Sequence, residues 1–226
     1  MCFFNSQSKR ALDIAKRYGR MMDAVEMAKV VIEEQQQVQK AFLHADSLIV
    51  TKSENLMWAK WGLIPFWVRD VARAENIRNS TANAKAETVR NLPSFREAIK
   101  RRRCIIPSTG YFEYHYEGTE AIPYKVFLRD TDVFALAGLY EEWKNTETKM
   151  VVRTFAVLTV TANEVCRFIH NGGRNPGRMP VILPEKDIEN WLNPELKDKD
   201  VDQLLQPFDS GAMDYEVLDK DYLRRA

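Results

Sequence analysis

The amino-acid sequence predicts an α+β fold with a β-rich central half. Several strand-length apolar runs follow one another in the middle of the chain, and helical patterns flank these runs instead of alternating with them. The 226 residues include 45% hydrophobic residues, which is enough for a proper core. We find no internal repeat, low-complexity segment or linker, so we expect one domain over residues 1–226.

The first predicted element is a helix from Ser8 to roughly Lys40. Apolar residues recur there at near-helical spacing among Lys, Arg and Glu, and Gly19 is a point at which the helix can split in two. From Leu48 the pattern changes to short apolar runs with aromatic and β-branched residues. These runs, at 47–51 and 56–67, predict strands and irregular connections.

A second helix is predicted over residues 92–103, with Ser94 as its N-cap and Glu97 completing a capping box. Four further regions of strand-length apolar runs follow it, at 103–116, 122–129, 133–143 and 153–162. The carboxy-terminal part predicts a short helix that begins at Asn163, a second short helix at 184–193 and a last strand at 215–219.

The composition excludes several classes of protein. With 33 basic and 32 acidic residues the formal net charge is +1, so any nucleic-acid contact must be a local basic patch. The three cysteines, Cys2, Cys104 and Cys166, form no Cys-x-x-Cys pair, which argues against a disulfide framework or a zinc ribbon. Without a signal-like amino terminus or a long apolar stretch, we expect a soluble, cytoplasmic protein that does not contact membranes.

Four residues are candidates for chemistry. Removal of the initiator methionine would leave Cys2 with both a thiol and a free α-amine. Glu113 lies among aromatic residues in a predicted strand, where burial would raise its pKa and suit proton transfer. His170 ends a predicted helix, and Asn83 lies in a polar, strand-poor run at 79–88. Taken alone, each of them is more often an incidental, packing, surface or turn residue than a catalytic one.

Five separated motifs lie in one order along the chain. They are Met1-Cys2 at the start, WGLIPFW at 61–67, NAKAET at 83–88, GYFEY at 110–114, and Ile169-His170 followed by RMPVIL at 178–183. In order and approximate spacing they resemble the SOS response-associated peptidase (SRAP) family over nearly the whole chain. The resemblance implies a SRAP-like domain with a β-rich, barrel-like core flanked by helices.

The resemblance also implies an activity. The family senses abasic sites in single-stranded DNA and crosslinks itself to the lesion through its mature amino-terminal cysteine, with AP-lyase and Met1-removing peptidase activities implied as well. It implies a monomer without cofactor or metal, whose partner is abasic single-stranded DNA. By motif, Cys2 is the nucleophile, Asn83 holds the terminus, Glu113 is the acid/base and His170 assists it.

The DNA contacts implied by the resemblance come from residues in the same motifs: Lys85, Arg178, Trp67, Tyr114 and Trp61. Lys85 stands where the family usually has a phosphate-binding arginine. Residues 100–103 form a basic run, but such a run at a helix end is often only solvated, and the tryptophans are equally interpretable as core residues. Phe3 and Phe4 replace the usual Gly-Arg, and seven residues separate His170 from Arg178 where the family has one.

Three alternatives stay open. Cys2 with a free amine also suits an amino-terminal-nucleophile amidase or peptidase acting through a thioester. A non-covalent single-strand binding module with an inert Cys2 is a second alternative. A metal site of Cys2, Glu113 and His170 is a third, although no short ligand spacing supports it.

Overall fold

The computed structural model describes residues 2–8, 10–22, 38–173 and 175–225, and the secondary structure there is extensively β. The strands are β1 (Phe4–Ser6), β2 (Val38–Lys40), β3 (Asp46–Ile49), β4 (Met57–Trp61), β5 (Asn83–Lys85), β6 (Arg103–Ser108), β7 (Gly110–Glu117), β8 (Glu120–Leu128), β9 (Phe134–Lys144), β10 (Val151–Thr161), β11 (Arg178–Pro180), β12 (Ile182–Leu183) and β13 (Met213–Val217). The α-helices are α1 (Ala11–Arg17), α2 (Val71–Arg78), α3 (Ala98–Arg101), α4 (Glu164–Ile169), α5 (Ile188–Leu192), α6 (Asp198–Leu204) and α7 (Tyr222–Arg225).

The strands form two sheets, one of five strands and one of eight. The first has the order β13-β8-β7-β1-β2 and is antiparallel throughout. The second has the order β12-β9-β10-β4-β3, with β5 and β11 also paired to β10 and β6 paired to β9. Two of its pairings, β10 with β4 and β10 with β5, are parallel. The α+β prediction is confirmed.

The expected barrel-like core takes the form of open sheets. In the described part of the chain, β3 and β6 approach each other through one isolated bridge. There the amides of Val50 and Ile105 each donate to the other residue's carbonyl at 2.9 Å. A single bridge leaves the two strands without a continuous ladder, so the second sheet does not close into a barrel.

The core fills the space between the sheets and the short helices. Its largest fully buried side chains include Trp61, Phe155 and Trp191. Arg103 is buried with them, and its guanidinium donates to the carbonyls of Trp191, Asn193, Ile99 and Lys100. Paired in this way, a buried cation is tolerated because its donors are satisfied.

The amino-terminal prediction is correct only in its first part. α1 ends before Gly19, whose φ of +58° is the left-handed conformation that glycine adopts at little cost, and this confirms Gly19 as an end point. Residues 23–37 of the predicted helix lie outside the described residues. Val38–Lys40 form β2, so a helix up to Lys40 is wrong.

Two local predictions at helix starts have opposite outcomes. The capping box is wrong, because the amides of Phe95 and Arg96 donate to Leu92 O at 3.0 and 2.9 Å and place Ser94 inside a turn. α3 begins only after Glu97, whose side chain makes no cap bond. The start at Asn163 is confirmed, since its Oδ1 accepts from the Cys166 amide at 2.9 Å.

A candidate active site at the amino terminus

Cys2 lies at the entrance to β1, in the interior of the protein. β1 pairs with β7 in the register Phe4 to Phe112, and this pairing leads the chain start toward Glu113. The Cys2 side chain is buried, with its Sγ donating to Phe4 O at 3.7 Å. Burial first, and then the charge of Glu113, raise the pKa of the Cys2 thiol to about 12. The thiol is therefore neutral at physiological pH and needs a base before it can act as a nucleophile.

Glu113 and His170 are brought together from different elements. Glu113 Oε2 lies 3.9 Å from His170 Nδ1, and their side chains are 13% and 4% exposed. Burial raises the pKa of Glu113, although the charge of the amino terminus opposes this. Burial, then the amino-terminal charge, lower the pKa of His170 to about 4. His170 is neutral at physiological pH, so it lies beside Glu113 as an uncharged neighbour and does not form an ion pair with it.

The backbone holds His170 in place from both sides. His170 follows α4, and its amide donates to Cys166 O at 2.8 Å. The Gly177 amide donates to His170 O at 2.8 Å, which closes the long loop before Arg178. His170 Nδ1 also lies 3.0 Å from Arg178 O. The longer loop between His170 and Arg178 therefore leaves the histidine firmly oriented.

Asn83 has an unusual environment for an amide side chain. It lies on β5 opposite Val157, so the strand-poor interpretation of residues 79–88 fails at Asn83–Lys85 and holds for the turns on either side. A three-residue strand that depends on the distant β10 leaves little local pattern to detect. Its Oδ1 and Nδ2 are both buried and have no hydrogen-bond partner among the described residues. Buried amides normally have partners, so this one is available to bind a further group.

The two predicted phosphate-binding cations are already engaged. Lys85 Nζ donates to Asn175 Oδ1 at 3.2 Å. Arg178 donates to both carboxylate oxygens of Glu87, at 2.6 and 2.9 Å, and to Thr159 O at 2.6 Å. Hydrogen bonding to Arg178 lowers the pKa of Glu87. A phosphate would have to compete with Glu87 for this guanidinium.

The predicted stacking residues differ in accessibility. Trp61 is fully buried, donates to Ala82 O at 2.8 Å and stacks on Phe155, so its predicted role in binding bases is wrong. Trp67 is half-buried, with the Arg73 guanidinium 5.3 Å from its ring centroid. Tyr114 is also half-buried, and its ring meets Phe4 edge-on. These two rings keep a surface that a base can contact.

The basic run at residues 100–103 is not an open cationic patch. Arg103 is buried, Arg102 forms an ion pair with buried Glu141, and Lys100 lies 3.2 Å from Glu97. Arg102 and Arg103 are thus held by protein groups and are not solvated as expected, while Lys100 keeps a surface position.

Two residues near the site were missed at the level of sequence. The Tyr111 hydroxyl lies 3.0 Å from Cys166 Sγ, and both side chains are buried. Tyr111 precedes Glu113 by two residues in a strand, so period-two alternation places both on one face. Cys166 precedes His170 by one helical turn. These two periodicities were the available signals.

A metal-binding cluster and a membrane-spanning helix are both absent from the described residues. No group of three or more His, Cys, Asp or Glu side chains is arranged there to hold a metal ion. In the same part of the chain, no helix combines the length and the apolar character that a membrane crossing requires.

The chain is similar to known proteins over almost its full length. The family model "SOS response associated peptidase (SRAP)" matches residues 1–221. A crystal structure of a protein from Bacteroides thetaiotaomicron superposes with a TM-score of 0.94 at 41% identity, covering 100% of this chain and 95% of that one. Two Bacillus subtilis proteins, abasic site processing proteins YoqW and YobE, are 39% and 37% identical over 161 residues. These matches cover 70% of this chain and 67% and 68% of theirs.

The fold and the site thus define an α+β domain of two sheets in which the buried Cys2 thiol lies near Glu113 and His170. The chain belongs to the SRAP family.

Proposed function

We propose that this protein captures abasic sites in single-stranded DNA covalently, through a thiazolidine formed by Cys2 once Met1 has been removed. The observation that carries the proposal is the burial of the Cys2 thiol in one site with the Glu113–His170 pair. Several SRAP relatives are named abasic site processing proteins, which supports the choice of lesion.

The chemistry begins at the amine. An abasic deoxyribose equilibrates with a ring-opened aldehyde, and an α-amine with a pKa of about 7.7–8.0 is partly unprotonated at neutral pH, unlike a lysine near 10.4. The amine adds to C1′, and loss of water gives an imine. The thiol sulfur then adds to C1′ and its proton passes to the former imine nitrogen, which closes a five-membered ring. High effective molarity favours this second, intramolecular step.

Glu113 suits the proton transfers of this sequence. Burial raises the pKa of this carboxyl and so favours its protonated form, which can donate to the sugar O4′ on ring opening or to the leaving water. The resulting carboxylate can accept the thiol proton, which the Cys2 pKa of about 12 otherwise retains. His170, neutral and 3.9 Å away, can hydrogen-bond the O4′ oxygen and return a proton on reversal.

Asn83 and the flanking cations complete the proposal. The amide of Asn83, which is buried and has no hydrogen-bond partner within the described part of the chain, is suited to hold the newly formed amino terminus. Lys85 and the half-buried ring of Trp67 would contact the unpaired strand, the cation through phosphate and the ring through a base. The net charge of +1 makes such contacts local, so recognition depends on the lesion more than on the polyanion.

The test uses matched oligonucleotides. Mature protein is incubated with single strands that carry an abasic site, a reduced abasic site without aldehyde, or an intact thymidine, and is then boiled in denaturant. We expect a shifted band with the first strand only. If the first strand gives no heat-stable band, the covalent proposal fails. Hydrolysis of amide substrates through a trapped thioester would instead support an amino-terminal-nucleophile amidase.

A further inference from the structure

Tyr111 and Cys166 form a buried contact that the proposed reaction leaves unused. The hydroxyl and the sulfur are 3.0 Å apart, and the residues are 2% and 3% exposed. Sulfur is a weak acceptor and a weak donor, so the tyrosine O–H is the better donor of the two. The contact joins β7 to α4.

The same two elements carry the reacting pair. Tyr111 and Glu113 project from one face of β7. Cys166 lies one turn before His170, whose amide donates to Cys166 O at 2.8 Å. Two neighbouring contacts therefore link β7 to α4 and the residue that follows it. They are the 3.0 Å contact between Tyr111 and Cys166 and the 3.9 Å contact between Glu113 and His170.

Tyr111 and Cys166 both stay uncharged near neutral pH, which preserves the hydrogen bond between them. Burial, followed by the charges of Cys166, Cys2 and Glu113, raises the pKa of Tyr111 well above its ordinary value. Burial raises the pKa of Cys166 to about 11. Neither group ionises near neutrality, so the hydrogen bond persists over the pH range in which the site works.

We propose that the Tyr111–Cys166 hydrogen bond is a positioning contact that sets the distance between His170 and Glu113 and keeps water from the carboxyl group. The inference rests on the proposed function. Without the bond, the contact between β7 and α4 loosens at Cys166 and solvent reaches Glu113, while the contact between His115 Nδ1 and Phe168 O at 2.8 Å still joins the two elements. The pKa of that carboxyl would then fall toward its ordinary value, because burial is the main reason that it is raised.

The groups that face Glu113 determine what a pH profile can report. They are the amino-terminal amine and Cys2 from the start of the chain, Tyr111 from β7, and Cys166 and His170 from α4 and the residue after it. The two thiols and the tyrosine stay neutral near pH 7, and His170 titrates only near pH 4. Burial raises the pKa of Glu113, and Glu113→Gln identifies the Glu113 limb, the part of the pH profile that depends on this carboxyl group.

The experiment measures the initial rate of heat-stable adduct formation on abasic single strands as a function of pH. In Tyr111→Phe and in Cys166→Ala we expect the Glu113 limb to move to lower pH by roughly half a unit or more. The double variant should match the single variants, because both remove one interaction. Cys166→Ser keeps an atom that can accept a hydrogen bond from Tyr111, so its Glu113 limb should lie at the same pH as that of the wild type.

Cys104→Ala is the matched control, since it removes an equally buried thiol from β6, outside the site. It should lower the unfolding temperature and leave the limb in place. If Tyr111→Phe and Cys166→Ala behave like this control, the contact is structural only and the inference is overturned. If wild-type protein forms no adduct, the proposed function has failed and the inference falls with it, a result distinct from an unshifted limb.

Discussion

Arg178 is held by Glu87 through two hydrogen bonds, at 2.6 and 2.9 Å, in the fork geometry that a phosphate would also use. Its side chain is only 11% exposed, whereas that of Glu87 is 50% exposed. The carboxylate therefore occupies the solvent side of the guanidinium. A DNA phosphate that bound Arg178 would have to displace Glu87 from this cation.

Removing the charge of Glu87 should strengthen binding to undamaged single strands. Glu87→Gln frees Arg178 to neutralise about one phosphate, which should steepen the slope of log K against log salt by about 0.7. Lys85→Ala should flatten the slope by a similar amount. Fluorescence anisotropy titrations at several salt concentrations measure both changes.

Glu142→Gln is the control for net charge, because Glu142 pairs with Arg153 at 3.3 Å on β9 and β10. It should leave the slope near the wild-type value. An unchanged slope in Glu87→Gln would mean that Arg178 does not reach the DNA backbone.

Glu113→Gln should slow adduct formation. Glutamine keeps the size of the side chain and cannot transfer the proton, so a loss of roughly 10²–10⁴-fold is expected from general acid–base catalysis. The substrate's own open aldehyde reduces the loss. Single-turnover gel assays measure the rate, and a variant as fast as the wild type would remove Glu113 from the mechanism.

His170 should make the folded state less stable in mild acid. Its folded pKa of about 4 lies below the ordinary value of 6.5, so between these values the unfolded chain binds more protons and stability rises with pH. The contribution present above pH 6.5 is lost as pH falls toward 4 and amounts to at most about 3 kcal/mol. The raised pKa of Glu113 acts with the opposite sign, since its contribution is lost as pH rises through the folded pKa.

Urea unfolding of wild type and His170→Gln between pH 4 and pH 7 measures this difference. The variant should lose less stability on acidification than the wild type. Parallel curves would show that His170 is not buried in its neutral form.

Blocking the amino terminus should abolish the adduct and leave the fold intact. A protein fused to an amino-terminal tag, or one that retains Met1, has no free amine on Cys2. Intact mass spectrometry of the active preparation should therefore show a chain that begins at Cys2. Adduct formation at full yield by a uniformly Met1-containing preparation would exclude the amine from the reaction.

Local patterns in the sequence predicted the strands around the site and the helix that begins at Asn163, since strand alternation and an N-cap involve only near neighbours. They failed for Asn83 and Val38–Lys40, whose strands exist through pairing with distant partners. They also could not separate Trp61 from Trp67, which share one motif and differ in burial. Trp61 is buried because it stacks on Phe155 and donates to Ala82 O. Both residues lie outside the motif that contains Trp61, so the motif alone could not predict its burial.

The sequence motifs also did not reveal that the Arg178 guanidinium is already bound by Glu87. Glu87 and Arg178 lie 91 positions apart and meet because β5 and β11 both pair with β10. The same topology places Lys85 beside Asn175. Charges counted along the chain therefore overstated the cations that are free to bind DNA.

The central claim is most directly tested with Cys2→Ala on abasic single-stranded DNA, with and without borohydride. This variant keeps the terminal amine and loses the thiol, so it should form an imine that borohydride traps, and no adduct should survive boiling without reduction. Wild-type protein should give the heat-stable adduct without reductant. A heat-stable adduct of Cys2→Ala in the absence of borohydride would show that another nucleophile reacts and would contradict the thiazolidine account.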